Sequence, residues 1–151
     1  MSVGIGYDSH RFAEGRRLVL GGVEVEHERG LAGHSDADVL THAVIDALLG
    51  AAGMGDIGTL FPDEEERWQG TDSIDLLSTV VGMVPGRIEN VDATLICEAP
   101  RIGPLRAEME RVLAEATSAR VSVKATTNEG MGWIGRGEGI ACIAVASVES
   151  E

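Results

Sequence analysis

The sequence predicts an α/β fold, an α+β sandwich with a four-stranded main sheet, a small hairpin and helices on one face of the sheet. Apolar runs with strand and helix periodicity follow one another in the order β-ββ-α-α-β-α-β-β. The 151 residues are enough for one real core, so we expect a single domain over residues 1–151. Aromatic residues make up only 3%, so Val, Ile, Leu and Ala must build that core.

The first segment of the chain predicts a strand and then a hairpin. Residues 3–12 contain GIGYDSH within an apolar run typical of a buried strand. Residues 16–28 alternate in polarity around two consecutive glycines, as in a β-hairpin. Asp8 and His10 are two positions apart on the first strand, so their side chains point to the same face. Two potential metal ligands on one face of a core strand must either have their charge compensated by neighbouring groups or serve a function such as metal binding.

A helix is predicted after the hairpin. Apolar residues at positions 37, 40, 44, 47, 48 and 51 have helical spacing. Ser35, followed three residues later by Asp38, resembles a capping box, so we expect Ser35 to be the N-cap. Gly53 and Gly55 are expected to end the helix. Residues 56–72 have no period and predict a long loop, a kind of segment that is often functional.

The second half of the chain predicts two helices and three strands. The helices are SIDLLSTVVGMV, stopped by Pro-Gly, and PLRAEMERVLAEAT, which opens on proline. The strands are NVDATLICEA, RVSVKATT and GIACIAVASVE. Such an apolar sheet must also bury its second face, most simply against copies of the same chain.

Charge and cysteine content exclude several classes of protein. The net charge of −13 argues against a nucleic-acid groove, which requires a basic stripe. Cys97 and Cys142 lie in apolar runs and predict buried thiols in a reducing compartment. We find neither a stretch of about 20 apolar residues nor a signal peptide, so we expect a cytoplasmic protein without membrane contact.

A pattern of metal ligands joins the first strand to the helix. Asp8, His10 and His42 supply three N/O ligands and leave a fourth position open, as in a catalytic zinc site. An open position suits polarisation of a phosphoryl or carbonyl oxygen. Asp38 and Asp46 lie one helical turn from His42, and either is expected to orient its second ring nitrogen.

Two further segments have the composition of anion sites. His34 and Ser35 lie at the predicted helix N-terminus, where free N–H groups and the helix dipole favour anions. The Gly-rich segment 124–141 supplies hydroxyls for phosphates, a carboxylate for a hard cation such as Mg²⁺ and an arginine as anion partner. These residues are Thr126, Thr127, Glu129 and Arg136.

Six segments, in order, resemble blocks of the 2-C-methyl-D-erythritol 2,4-cyclodiphosphate synthase family of the non-mevalonate isoprenoid pathway. They are GIGYDSHRF, LGGVEV, GLAGHSDADVLTHAVIDALLGAAGMGDIGTLFPD, DSIDLL, NVDATLICEAPRIGP and VKATTNEGMGWIGRGEGIACIAVA. The resemblance implies a lyase that converts 4-diphosphocytidyl-2-C-methyl-D-erythritol 2-phosphate to 2-C-methyl-D-erythritol 2,4-cyclodiphosphate and releases CMP. It also implies one Zn²⁺ per subunit, a second divalent cation (Mg²⁺ or Mn²⁺), and a homotrimer with sheets packed around its axis and active sites between subunits.

The same resemblance implies roles for matching positions. Asp8, His10 and His42 match the zinc ligands, and Glu129 matches a ligand of the second, magnesium-like ion. His34 and Thr127 match catalytic residues that stabilise the transition state. His34, Ser35, Asp56, Ile57 and Gly58 match residues around the methylerythritol part of the substrate, residues 61–65 match the loop that closes over it, and residues 97–103 match the wall of the cytosine pocket. The full set of matching substrate-binding residues is Asp8, Ser9, His10, His34, Ser35, Asp56, Ile57, Gly58, Phe61, Pro62, Asp63, Glu64, Glu65, Cys97, Glu98, Ala99, Pro100, Arg101, Ile102, Gly103, Thr126, Thr127, Asn128, Glu129, Trp133 and Arg136.

Two positions depart from the family pattern. Many members have a polar residue where this chain has Ile5 and Ile143. In the family these positions lie near a central cavity of the trimer, close to the position of Arg136, where an isoprenoid diphosphate has been proposed to bind. Apolar residues there disfavour such binding in this chain.

Two other functions fit part of the pattern. A zinc-dependent nucleotide hydrolase would use the same metals with water as the nucleophile, and its opened monophosphate product would distinguish it. A non-enzymatic trimer that binds metal and isoprenoid would need only Arg136 and the cavity. It would leave Thr127, Glu129 and the segment 56–65 without a role.

Overall fold

The computed structural model describes residues 1–62 and 71–150. Its strands are β1 (Ser2–Ala13), β2 (Leu18–Leu20), β3 (Val23–Val25), β4 (Gly30–Leu31), β5 (Arg87–Ile96), β6 (Arg120–Thr126) and β7 (Gly139–Glu149). Its helices are α1 (Val39–Ala51), α2 (Ile57–Leu60), α3 (Ser73–Met83), α4 (Arg106–Thr117) and α5 (Gly132–Gly135), and a 3-10 turn at Gly103–Leu105 leads into α4.

The main sheet has the strand order β4-β1-β7-β5-β6. The central strand β7 is antiparallel to β1 and to β5, whereas β6 joins β5 in parallel. Strands β2 and β3 form a separate hairpin, turned by Gly21 and Gly22 as predicted. The fold class is confirmed: β1, β5, β6 and β7 are the four predicted main strands. The two-residue strand β4 adds a fifth at the edge of β1.

Helix α1 lies directly on β1. Gly4 and Gly6 face this helix, and a Cβ atom on Gly6 would lie 2.0 Å from the carbonyl oxygen of Ala43. Only glycine allows the backbones of helix and strand to approach so closely. Because side chains alternate along a strand, the face that carries the two glycines continues to Asp8 and His10 and brings them beside α1.

Helix α1 begins later than predicted. Its N-cap is Asp38, which accepts the N–H of Thr41, while Ser35 lies in the preceding loop with a left-handed φ of 61°. The prediction that Ser35 caps the helix was wrong because the carboxylate of Asp38 has additional partners. It also accepts the N–H groups of Gly21 and Gly22, each at 2.8 Å, and so joins the hairpin turn to the start of α1.

The predicted loop 56–72 begins with one helical turn, α2. Asp56 caps this turn by accepting both the N–H and the hydroxyl of Thr59. Four residues are too few to produce a period, so the sequence pattern gave no sign of this helix. The predicted site residues Asp63, Glu64 and Glu65 lie outside the described residues.

The core is apolar and lies between the main sheet and the helices. As predicted, Cys97 and Cys142 are buried and unpaired. Burial raises the pKa of Cys97 to about 11, so its thiol is not reactive at neutral pH. In the described part of the chain, every helix falls short of the length and apolarity that crossing a membrane requires.

Candidate metal centre and substrate site

A cavity of about 190 Å³ opens beside β1, α1 and α2. All but one of the residues that line it were predicted from the sequence to be site residues, the exception being Leu76. The lining residues are Asp8, His10, His34, Ser35, His42, Ile57, Gly58, Phe61 and Leu76. The fold therefore brings the predicted metal ligands and the residues predicted at the methylerythritol end into one cavity.

Three of these residues converge on one point. Asp8 Oδ2 lies 2.9 Å from His10 Nε2 and 3.3 Å from His42 Nδ1. A tetrahedral ion with bonds of about 2.0 Å separates its ligand atoms by about 3.3 Å, so this donor set fits a divalent cation such as zinc. Within residues 1–62 and 71–150, this is the one group of three or more potential ligands close enough to share an ion.

The charges of the three residues favour a positive partner. Burial disfavours the ionised form of Asp8, but hydrogen bonds to His10 and His42 outweigh it and hold the pKa of Asp8 below its ordinary value. Burial also disfavours the charged form of His42, yet the contact with Asp8 raises the pKa of His42. The carboxylate of Asp8 is thus ionised and is stabilised by either a proton on the imidazole or a cation.

The ring nitrogen of each histidine that points away from Asp8 has a partner of its own. His10 Nδ1 donates to the carbonyl of Ala32 at 2.8 Å, so Nε2 is the nitrogen that meets Asp8: it donates a hydrogen bond when the ring is protonated and offers its lone pair to a metal ion when the ring is neutral. His42 Nε2 lies 2.9 Å from the hydroxyl of Ser73 at the start of α3. Such partners fix the ring orientation of metal-binding histidines.

The prediction that Asp38 or Asp46 orients His42 was wrong. Asp38 caps α1 and binds the hairpin turn, and Asp46 accepts the N–H of Ile57 at 2.8 Å. Sequence spacing places these carboxylates one turn from His42 but does not determine the direction in which each side chain points. The actual partner, Ser73, is 31 residues away in sequence, and no local pattern indicates the pairing.

Arg16, which no sequence pattern indicated as a site residue, holds the loop that carries His34. Its guanidinium donates to the carbonyl oxygens of Gly33 at 3.0 Å and Ser35 at 2.9 Å. This loop has two non-glycine residues with positive φ, Ser35 at 61° and Ala37 at 52°. Such conformations cost about 1–3 kcal/mol and persist only where surrounding contacts determine them.

A second cavity, of about 300 Å³, lies where β5 and β6 end, and it shares no lining residue with the first. It contains most of the residues predicted for the cytosine wall and for phosphate contacts. The lining residues are Cys97, Glu98, Pro100, Arg101, Ile102, Ala125, Thr126 and Thr127, of which Ala125 alone was not predicted. Glu98 accepts the N–H groups of Asn128 at 2.6 Å and Gly130 at 3.1 Å, and thereby fixes the loop after β6.

Several other predicted residues line neither of these two cavities. Ser9 and Trp133 line a third cavity, which also touches His10. Glu129 is exposed, and its N–H donates to the hydroxyl of Thr127 at 3.2 Å. Arg136 forms an ion pair with Glu138 at 2.5 Å on the surface. Within one chain, Glu129 and Arg136 line none of these three cavities.

Comparison with known proteins gives consistent matches. The YgbB family model matches residues 1–149. The 2-C-methyl-D-erythritol 2,4-cyclodiphosphate synthase of Alkaliphilus metalliredigens is 52% identical over 98% of this chain and 97% of its own length. The bifunctional enzyme IspD/IspF of Anaeromyxobacter sp. is 56% identical over 97% of this chain, which spans only 39% of that relative's length.

A solved structure of a synthase of the same name, in its CDP-bound form, has a TM-score of 0.89 and 33% sequence identity. The match covers 97% of this chain and 99% of that one. The agreement therefore extends from sequence to the fold, including strand β1 and helix α1, which carry the candidate metal ligands. The chain thus belongs to the YgbB family, the lyases that act as cyclodiphosphate synthases in isoprenoid biosynthesis.

Proposed function

We propose that the chain converts 4-diphosphocytidyl-2-C-methyl-D-erythritol 2-phosphate to 2-C-methyl-D-erythritol 2,4-cyclodiphosphate and CMP. The observation that carries the proposal is the cavity in which Asp8, His10 and His42 converge beside His34 and Ser35. Full-length relatives of this name and the CDP-bound neighbour support a cytidine nucleotide as the substrate class.

The reaction consists of one displacement at phosphorus. An oxygen of the 2-phosphate attacks the β-phosphorus, a new P–O bond closes the ring, and the bond from the β-phosphorus to the bridging oxygen breaks. The electron pair of that bond leaves with CMP. The nucleophile is already an anion, so no general base is needed, and catalysis depends on positioning and on neutralising charge.

Two cation sites are part of the proposal. Asp8, His10 and His42 would hold Zn²⁺, and Glu129 would hold Mg²⁺ or Mn²⁺ together with substrate phosphates, as hard cations prefer. When bound, these ions supply polarisation of phosphoryl oxygens. The protein itself has a net charge of −13 and little positive charge to offer two phosphates.

The chain's own residues position the substrate. His34 and Ser35, on the loop that Arg16 holds, face the metal cavity and would contact the methylerythritol end. Thr127 has an oxygen that accepts the N–H of Glu129, which leaves its hydroxyl hydrogen available for a phosphate. We assign to His34 and Thr127 the stabilisation of the charge that develops in the transition state.

A homotrimer would bring the two cavities together. They share no lining residue in one chain, and the exposed face of the main sheet is apolar along β1 and β7. Packing that face against neighbouring copies removes apolar surface from water. Each active site would then combine the metal cavity of one subunit with the cytidine cavity of the next.

The direct test is turnover of the diphosphocytidyl 2-phosphate substrate with Mg²⁺, followed by phosphorus NMR. We expect CMP and a cyclic diphosphate in equal amounts, and no reaction after chelation of divalent cations. CMP with an acyclic product that carries two separate phosphate monoesters would indicate a hydrolase instead. Absence of turnover in the metal-loaded protein would leave only a binding role and would reject the proposal.

A further inference from the structure

We propose that Ser73 and Asp36 are positioning residues that hold His42 in the single tautomer able to bind a metal ion. The inference rests on the proposed metal site and extends it by two residues outside the ligand set. Neither residue was singled out from the sequence, and neither lines the metal cavity.

The Ser73 hydroxyl has a single hydrogen to donate. Ser73 is fully buried, and its hydroxyl meets two groups, Nε2 of His42 at 2.9 Å and the carboxylate of Asp36. An ionised carboxylate only accepts hydrogen bonds, so Ser73 donates its one hydrogen to Asp36. Ser73 must then accept from His42, and Nε2 of His42 must carry the ring hydrogen.

In the neutral ring this arrangement leaves the lone pair on Nδ1 of His42, whereas in the protonated ring Nδ1 carries a second hydrogen and donates it to Asp8. Nδ1 is the atom that lies 3.3 Å from Asp8 Oδ2, the same oxygen that meets Nε2 of His10 at 2.9 Å. The carbonyl of Ala32 does the same for His10 by accepting from its Nδ1. Both rings therefore present a lone pair to one point because each has an acceptor on its far side.

Asp36 is itself held in place by backbone groups. It accepts the N–H of Asp38 at 3.1 Å and the N–H of Ser73 at 3.1 Å. The carboxylate thus links the loop before α1 to the first turn of α3, and its orientation does not depend on Ser73's hydroxyl alone. Losing the acceptor would let Ser73 donate to His42 and would favour the opposite tautomer, whose Nδ1 cannot bind a metal.

The first test measures zinc affinity of the metal-free protein by competition with a chromophoric chelator. Ser73→Ala should weaken zinc binding by about 10- to 100-fold, the range for partners of metal-binding histidines. Ser73→Thr keeps the hydroxyl and should retain most of the affinity. Thr117→Ala is the matched control, because Thr117 is also a buried helical hydroxyl, bonded to the carbonyl of Leu113 at 2.8 Å, and should not change zinc affinity.

The second test reads the tautomer directly from imidazole ¹⁵N chemical shifts in the metal-free protein, with His42 neutral. We expect hydrogen on Nε2 of His42 in the wild type, a mixture in Ser73→Ala, and hydrogen on Nδ1 in Asp36→Ala. Hydrogen on Nδ1 in the wild type would overturn the inference, as would unchanged zinc affinity in a folded Ser73→Ala variant. A wild type that binds no zinc would instead reject the proposed metal site. The ¹⁵N chemical shifts would still test whether Ser73 sets the tautomer of His42.

Discussion

The two faces of β1 differ in chemistry although their residues alternate along one strand. The residues that face α1 are Gly4, Gly6, Asp8 and His10. The residues on the other face are Val3, Ile5 and Tyr7. The inner face is in contact with the helix and carries two metal ligands, whereas the outer face exposes 64%, 69% and 55% of its three apolar side chains.

The inner face has its contacts within one chain, whereas the outer face leaves apolar side chains uncovered. On the inner face, the two histidines of the metal triad have partners from the same chain, Ala32 and Ser73. On the outer face, Ile5 and Tyr7 pair with Val145 and Ile143 of β7, and all four remain exposed. One chain thus contains all three residues of the candidate metal site, and we propose that further copies of the chain cover the exposed apolar face.

Removing a ligand from the inner face should have the largest effect. His42→Ala deletes one of three donors, so zinc affinity should fall by more than about 100-fold, beyond the loss expected for an indirect partner. Turnover should fall with it. Metal content after dialysis, measured by atomic emission, gives the result.

The control for this variant is His27→Ala, which removes an imidazole that contacts Phe12 and lies outside the triad. It should leave the zinc content unchanged. Full zinc occupancy in His42→Ala with unaltered far-UV circular dichroism would contradict the assignment of His42 as a ligand.

Placing a charge on the outer face should dissociate the proposed trimer and leave the inner face intact. Ile5→Asp would bury a carboxylate in an apolar interface, and one without a partner is costly. We expect the wild type at about 48 kDa, three times 15.9 kDa, and the variant near the mass of one chain by light scattering. Turnover should be lost because the two cavities no longer meet, while zinc binding should persist.

Met83→Asp is the matched control for this variant. Met83 is an exposed apolar residue at 39%, but it lies at the end of α3 on the helical layer. The charge there should leave the assembly unchanged. A wild type that is monomeric at micromolar concentration would reject the assembly, and an active monomeric Ile5→Asp would reject the shared site.

The sequence predicted the parts of the site that follow from periodicity. Alternation along a strand places Asp8 and His10 on one face, and helical spacing places His42 off the apolar stripe. Strand and helix types were also recovered for the long elements, since their apolar patterns reflect which side is buried. The four-residue α2 was missed because it is shorter than the patterns that indicate a helix.

The sequence could not predict contacts that depend on tertiary geometry. The start of α1 is set by the hydrogen bonds of Asp38 to the hairpin turn. The helix-capping preferences of Ser35 and Asp38 do not take these tertiary bonds into account. Ser73 reaches His42 only because α3 packs beside α1. Arg16 reaches the carbonyl of Ser35 across 19 residues of chain. Each pairing joins residues from segments whose relative placement is decided by the whole core.

The close contact on the inner face can be tested without touching the ligands. In Gly6→Ala, the added Cβ would lie 2.0 Å from the carbonyl oxygen of Ala43 and 2.7 Å from the N atom of Ala47. These are backbone atoms that cannot rotate away, so α1 must shift, and the free energy of unfolding should fall by about 1–3 kcal/mol or more. Urea unfolding measures the change.

Gly82→Ala provides a control with the opposite sign. Gly82 lies within α3, and a Cβ there meets nothing within 4 Å. Alanine should therefore stabilise the helix by about 0.5–1 kcal/mol. Equal stability changes in the two variants would contradict the backbone contact between β1 and α1.

The smallest expected effect is a pH dependence that differs between the metal-free and zinc-loaded protein. Burial alone would raise the pKa of Asp8, but the hydrogen bonds with His10 and His42 lower it. Ionised Asp8 therefore stabilises the folded state above its ordinary pKa of 3.8, and this contribution is lost as pH falls through the folded-state pKa. Burial alone would lower the pKa of His42, but the contact with Asp8 raises it. Protonated His42 therefore stabilises the folded state below its ordinary pKa of 6.5, and this contribution is lost as pH rises through the folded-state pKa. Both contributions are present together between 3.8 and 6.5.

In the metal-free protein, Asp8 and His42 should therefore contribute most to the free energy of unfolding near pH 5, and less at pH 8. Zinc takes the place of the proton on His42, so the rise in Tm on adding zinc should be larger at pH 8 than at pH 5. Thermal unfolding at the two pH values, with and without zinc, measures this difference. In His42→Ala the difference should disappear. A zinc-induced rise in Tm that is equal at both pH values in the wild type would show that the cation does not compete with a proton at the inner face of β1.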